Sequence, residues 1–227
     1  RNIVLIGRSR TGKSTIASVI ENILYKPPQR ELYSETKDVT FHKVATDAKS
    51  TQRYYFNIID TPGFFEIPRG DSGNKFTNDR ISSFIKSCIT NDVTNVHLFA
   101  FVFNLAAGII EKDIETMELI IKDYYYLSNH MALIITFCED QKSETRKKLA
   151  NDFFDHSKVK QSRLKEFFKQ GFFFMGCLSY EAWENENEKL LLDQFINVLE
   201  MRTIFIEKCI SSEIPYNVHH DSPCSIL

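Results

Sequence analysis

Eight consecutive residues, Gly7-Arg-Ser-Arg-Thr-Gly-Lys-Ser14, carry the densest chemistry in the chain. Their spacing is GxxxxGK[ST], that of a loop built to grip phosphate. Gly7 and Gly12 let the backbone curl until successive N–H groups face inward around phosphate oxygens. Lys13 brings positive charge to β- and γ-phosphates, and the Ser14 hydroxyl suits Mg²⁺. The helix starting at this point adds its positive dipole end. Arg10, Thr11 and Thr15 fall in the same binding stretch; Arg8 and Arg10 read either as phosphate neutralisers or as solvated cations. The implied ligand is a nucleoside triphosphate with magnesium.

A second acidic site follows 46 residues after Ser14, in Ile58-Ile-Asp60-Thr-Pro-Gly63. An Asp at the end of an apolar strand can hold Mg²⁺ through water, and a Gly three residues on can offer its N–H to the γ-phosphate. Lys13 and Gly63 are therefore the candidate catalytic groups, stabilising charge during in-line attack by water. A threonine in the polar stretch after the first helix should close over the metal, and spacing leaves Thr36 and Thr40 both open. Position 64 is Phe, which can neither orient nor deprotonate a water, so unaided hydrolysis should be slow. Further on, Thr136-Phe-Cys-Glu-Asp140 ends an apolar run. A carboxylate there can accept from both guanine N1–H and the 2-amino group, a donor pair adenine lacks. TxxxD alone leaves adenine open.

The elements that must position these groups are legible from periodicity. Asn2–Ile6 reads as a strand buried on both faces, and 15–24 as a helix stopped by Pro27-Pro28. Strands are expected at 41–46 and 53–59 around a turn at 47–50, then a mobile loop through Asn78 and an amphipathic helix at 81–89. Strands at 96–103, 131–137 and 172–175 alternate with helices at 111–127, 144–155 and 161–169, and a long helix spans 183–210. This is an α/β pattern with a mostly parallel sheet covered on both faces. The domain is placed at residues 1–210, with 211–227 as a flexible tail.

Composition narrows the partners. A formal net charge of −2 gives no cationic field, so nucleic acid is not expected. Five cysteines without CxxC spacing argue against zinc and disulfides and fit a reducing compartment. No stretch reaches the roughly 18 uninterrupted apolar residues of a membrane span. The sequence begins at Arg1, inside a strand, as a piece of a longer chain would.

Taken together the motifs resemble the immunity-associated GTPases, whose avirulence-induced type of G domain is related to chloroplast outer-envelope import GTPases and septins. The resemblance covers about residues 1–205. It rests on GRSRTGKST (7–15), SETK (34–37), IDTPGFF (59–65), FNLAAGIIEKD (103–113) and IITFCED (134–140). It implies a Ras-like P-loop fold with extra C-terminal helices, GTP/GDP binding, Thr36 as the third metal ligand beside Ser14 and Asp60, and Asp140 as the guanine reader. Homo-oligomerisation through the G domain and residence at membranes are implied as well. Two departures stand out. Ala107-Gly108 replaces a family Gly-Arg that in some members acts across a dimer, and Gly176-Cys177 replaces an Asn pair.

The end, Cys224-Ser-Ile-Leu227, fits a prenylation box with a geranylgeranyl-type terminal Leu, although no polybasic run precedes it. A cytoplasmic protein, peripheral at a membrane if Cys224 is lipidated, is the expectation. Three activities remain in view: a slow GTPase switch, a GTP-binding scaffold that hydrolyses essentially nothing, and a P-loop ATPase or kinase.

Overall fold

The structure is a computed structural model that describes residues 1–28, 39–47, 53–63, 95–104, 108 and 110–218, the side chains at 47, 112, 119 and 123 excepted. Thr36, Phe64, Cys88, Ala107 and Cys224 lie outside it, as do the expected mobile loop beyond Gly63, the helix at 81–89 and the turn after Asp47.

Six strands form one sheet: β1 (Asn2–Ile6), β2 (Thr40–Asp47), β3 (Arg53–Asp60), β5 (Leu98–Asn104), β6 (Met131–Thr136) and β7 (Phe172–Phe174), in the order β2-β3-β1-β5-β6-β7. Only β2 runs antiparallel, pairing with β3 from Thr40↔Asp60 to Asp47↔Arg53. The remaining pairs are parallel. All the parallel strands therefore deliver their C-terminal ends to one edge of the sheet, where α/β folds place ligands.

Strand alternation divides the core into two faces. Ile3, Leu5, Ala100, Val102, Ala132 and Ile134 pack against α1 (Lys13–Glu21) and a C-terminal helix, α7 (Glu188–Ser211). Val4, Ile6, Phe101, Phe103, Leu133 and Ile135 pack against α2 (Glu111–Tyr124) and α3 (Ser143–Asp155). The short α4 (Ser157–Gln161) and α5 (Leu164–Phe167) close the second face through Val159, Leu164 and Phe167.

Two expectations need correction. The helix read as continuous over 183–210 is broken into α6 (Tyr180–Glu184) and α7. Glu186 takes a left-handed φ of 49°, and the Asn187 side chain then caps α7 by accepting from the Leu190 N–H at 3.1 Å. The stretch read as tail from 211 also begins inside the fold. Its strand β8 (Tyr216–Asn217) pairs with β4 (Asn95–Val96), and both Tyr216 and Val218 are buried. The Tyr216 ring sits against Phe99, Tyr126 and His130.

Candidate functional site

The loop between β1 and α1 is shaped by backbone sterics. A Cβ on Gly7 would lie 2.5 Å from the Val102 carbonyl oxygen, and Gly12 holds a left-handed φ of 93° as it opens α1. Side chains then fasten the curve. The Thr11 hydroxyl donates to the Arg8 carbonyl at 2.9 Å, and Thr136 at the end of β6 donates to the Thr11 carbonyl at 2.8 Å. Thr136 also reaches the Phe103 carbonyl at 3.0 Å, tying β5, β6 and the loop together.

Lys13 is buried under this curve, its Nζ donating to the carbonyls of Gly7 at 3.1 Å and Arg8 at 2.7 Å. The next residue, Ser14, is on the open side, and its Oγ donates to Asp60 Oδ2 at 2.5 Å. Asp60 ends β3 with its side chain almost wholly buried, and its Oδ1 has no hydrogen-bond partner among the described residues. Burial pushes this carboxyl above the usual carboxylate range, against the Ser14 hydrogen bond and the charges of Lys13 and His42. Gly63 comes so close to the loop that a Cβ there would overlap the backbone of Ser9. Thus Gly7, Thr11, Gly12, Lys13, Ser14, Asp60 and Gly63 gather at one sheet edge. Thr15 is half-buried in the first turn of α1. Arg10 is exposed, with φ at 63°. Thr40, the other threonine weighed for the metal, begins β2, exposed and paired in register with Asp60.

A hard cation fits the residues present. Among the described residues no group of three His, Cys, Asp or Glu side chains could hold a metal alone. Mg²⁺ typically takes one or two protein oxygens and completes its shell with water and phosphate. Ser14 Oγ and the unsatisfied Asp60 carboxylate supply that kind of donor set.

Arg8 does not follow the solvated or phosphate-facing reading. Its Nη1 lies 3.0 Å from Oδ1 of Asp113, in the first turn of α2, with side-chain exposures of 26% and 4%. Burial raises the Asp113 carboxyl, and the Arg8 guanidinium opposes that rise. This partner was missed, although Asp113 closes the FNLAAGIIEKD stretch. Gly108, in the same stretch, has open space where a side chain would stand.

Asp140, expected to read the base, follows β6 and is exposed, with Oδ1 accepting from Gln194 Nε2 of α7 at 2.7 Å. Cys138, at the centre of TFCED, is buried, and burial pushes its thiol up to about 12, so it is a packing residue and not a nucleophile. Gly176 after β7 is close to Glu139; a Cβ there would meet Glu139 Oε2 at 2.7 Å.

The AIG1 family profile matches residues 1–201. GTPase Der from Thermosipho africanus (strain TCF52B) is 26% identical over 212 residues, covering 93% of this chain. The chain spans 40% of that relative's length. The crystal structure of a dimerization-deficient mutant of Toc33 from Arabidopsis thaliana superposes with a TM-score of 0.50 at 14% identity. That match covers 77% of this chain and 70% of the other, and at such identity it speaks to the fold.

Proposed function

The chain belongs to the AIG1 family, and from that footing we propose that it is a guanine-nucleotide-binding protein, a slow GTPase switch that holds GTP or GDP with Mg²⁺. The observation that carries the reading is Asp60. A buried carboxylate with one oxygen unsatisfied among the described residues and the other on Ser14 costs stability unless a cation is part of its working state. The kinship with GTPase Der and the placement of Asp140 support guanine over adenine.

In this reading the loop N–H groups and Lys13 hold the phosphates, while Ser14, Asp60 and Thr36 hold the metal. Mg²⁺ supplies neutralisation of phosphate charge when bound. Lys13 is already bonded to two loop carbonyls, so its ammonium is oriented before any ligand arrives. The Gly63 N–H, at the end of the close approach to Ser9, is the group that would sense a γ-phosphate. Hydrolysis is slow because no polar side chain stands at 64 or 108 and Arg8 is committed to Asp113.

Those same three residues favour a second reading, a GTP-binding scaffold that hydrolyses essentially nothing. Single-turnover hydrolysis at rising protein concentration separates the two: acceleration points to catalysis completed by a second copy of the chain. The Toc33 mutant described as dimerization-deficient supports asking the question of this chain. No helix among the described residues is long and apolar enough to cross a membrane. Peripheral attachment from the cytoplasm through a prenylated Cys224 is part of the proposal, and an unmodified terminus in an intact-mass spectrum from native cells would reject it. The identity of the nucleotide is tested by titrating GDP, GTP and ATP with and without Mg²⁺. Tight guanine binding that excess ATP cannot displace is expected; efficient displacement by ATP ends the guanine assignment.

A further inference from the structure

We infer that Gln194 is a positioning residue for base recognition, holding the Asp140 carboxylate in the orientation that distinguishes guanine from bases lacking the 2-amino group. The inference rests on the reading of Asp140 as the guanine reader.

Gln194 lies on α7 with 1% of its surface exposed. Its carboxamide bridges two loops that emerge from the C-terminal ends of neighbouring strands. Oε1 accepts from the Ser179 N–H at 2.9 Å, beyond β7, and Nε2 donates to Asp140 Oδ1 at 2.7 Å, beyond β6. The amide can face only one way, because a backbone N–H must donate and a carboxylate must accept.

A glutamine serving only the core needs no more than some nearby polar group at each end of its carboxamide. This one directs its donor to an exposed carboxylate that water would otherwise solvate. One helical turn on, the Asn197 Nδ2 donates to the Glu139 carbonyl at 2.8 Å, so α7 fixes both the backbone and the side chain of the 139–140 pair. With one lone pair of Oδ1 taken, its second lone pair and Oδ2 remain to accept two parallel N–H donors. That is the donor pattern of guanine N1–H and 2-NH₂; hypoxanthine offers only the first.

The test compares GDP with inosine diphosphate, which lacks the 2-amino group, by competition against a fluorescent GDP analogue on the full chain. Gln194→Leu removes both bonds. Gln194→Glu keeps the acceptor for Ser179 N–H while replacing the donor toward Asp140, and it remains informative if the leucine variant does not fold. Losing the alignment of one charge-assisted bond is worth about tenfold. Either variant should therefore narrow the preference for GDP over inosine diphosphate about tenfold, mostly through weaker GDP binding. Equal weakening of both nucleotides would mark a merely structural residue and overturn the proposal, as would an unchanged ratio. Asp140→Asn is measured alongside with xanthosine diphosphate, whose C2 carbonyl suits an amide donor. A switch toward xanthosine upholds the reader assignment independently of Gln194. Its absence removes Asp140 as the reader, and the proposal with it.

Discussion

Arg8→Ala tests how the phosphate loop is held against the rest of the sheet. The carboxylate it would strand is 4% exposed, whereas the arginine is 26% exposed and 3.0 Å away. Removing one partner of a fully buried ion pair costs about 3–5 kcal/mol, because the other charge is left without compensation. Here water reaches the arginine side and can enter the vacated space, so the cost should drop to about 2 kcal/mol. That is a change of about thirtyfold in the folding equilibrium. Urea melts at pH 7.5 without nucleotide measure it, since bound ligand would add its own stabilisation. Adding Asp113→Asn to Arg8→Ala removes the stranded charge and should restore at least about half the loss. The pH dependence has a definite sign. Burial already raises Asp113 above its ordinary 3.8, and removal of Arg8 raises it further. Stability linked to a raised carboxyl is fully present below the unfolded value and is lost as pH rises through the folded one. The deficit of Arg8→Ala should therefore shrink toward pH 4. A cost under about 0.5 kcal/mol at pH 7.5, or a double variant no more stable than the single, refutes the reasoning.

Asp60→Ala should lower GDP affinity in Mg²⁺ by at least about tenfold and abolish most of the difference made by EDTA, read with a fluorescent nucleotide. Gly63→Ala sets a methyl against the Ser9 backbone; about 1–3 kcal/mol of overpacking should lower the melting temperature of the nucleotide-free protein, and an unchanged melt would contradict that contact. His97 accepts from the Asn2 N–H, and burial, aided by the charges of Arg1 and His130, holds it down to about 4. Its neutral form belongs to the folded state, so this stability is present above about pH 6.5 and is lost as pH falls toward 4. Denaturation midpoints should fall across that window, with a flatter profile for His97→Gln.

The phosphate loop was legible because its chemistry is contiguous: one turn of backbone must supply the amides, the ammonium and the hydroxyl, so Gly7 to Ser14 announces itself. Asp60 stood out because it ends an apolar run 46 residues after Ser14, a spacing that singles out an acidic turn otherwise ordinary at the end of a strand. β1, β5 and β6 stood out as dense apolar runs because both faces of each are covered. What escaped the reading is set by tertiary approach. Arg8 finds Asp113 across 105 residues, and Asp140 finds Gln194 across 54. Neither pairing leaves a periodic mark. The break before α7 turns on the backbone of Glu186 and a cap from Asn187, in a stretch whose helix propensity gives no hint of it. Tyr216 follows Pro215 in a sequence that reads as loop, yet its ring supplies apolar cover that the start of β5 lacks.

The pairing of β8 with β4 fixes where the described part of the chain ends. Asn95 and Val96 precede the first residue of β5, so Val218 emerges from the pole of the molecule opposite Gly7, Asp60 and Asp140. A contact made at that pole would leave the candidate nucleotide edge of the sheet uncovered, where another copy or a soluble partner can meet it.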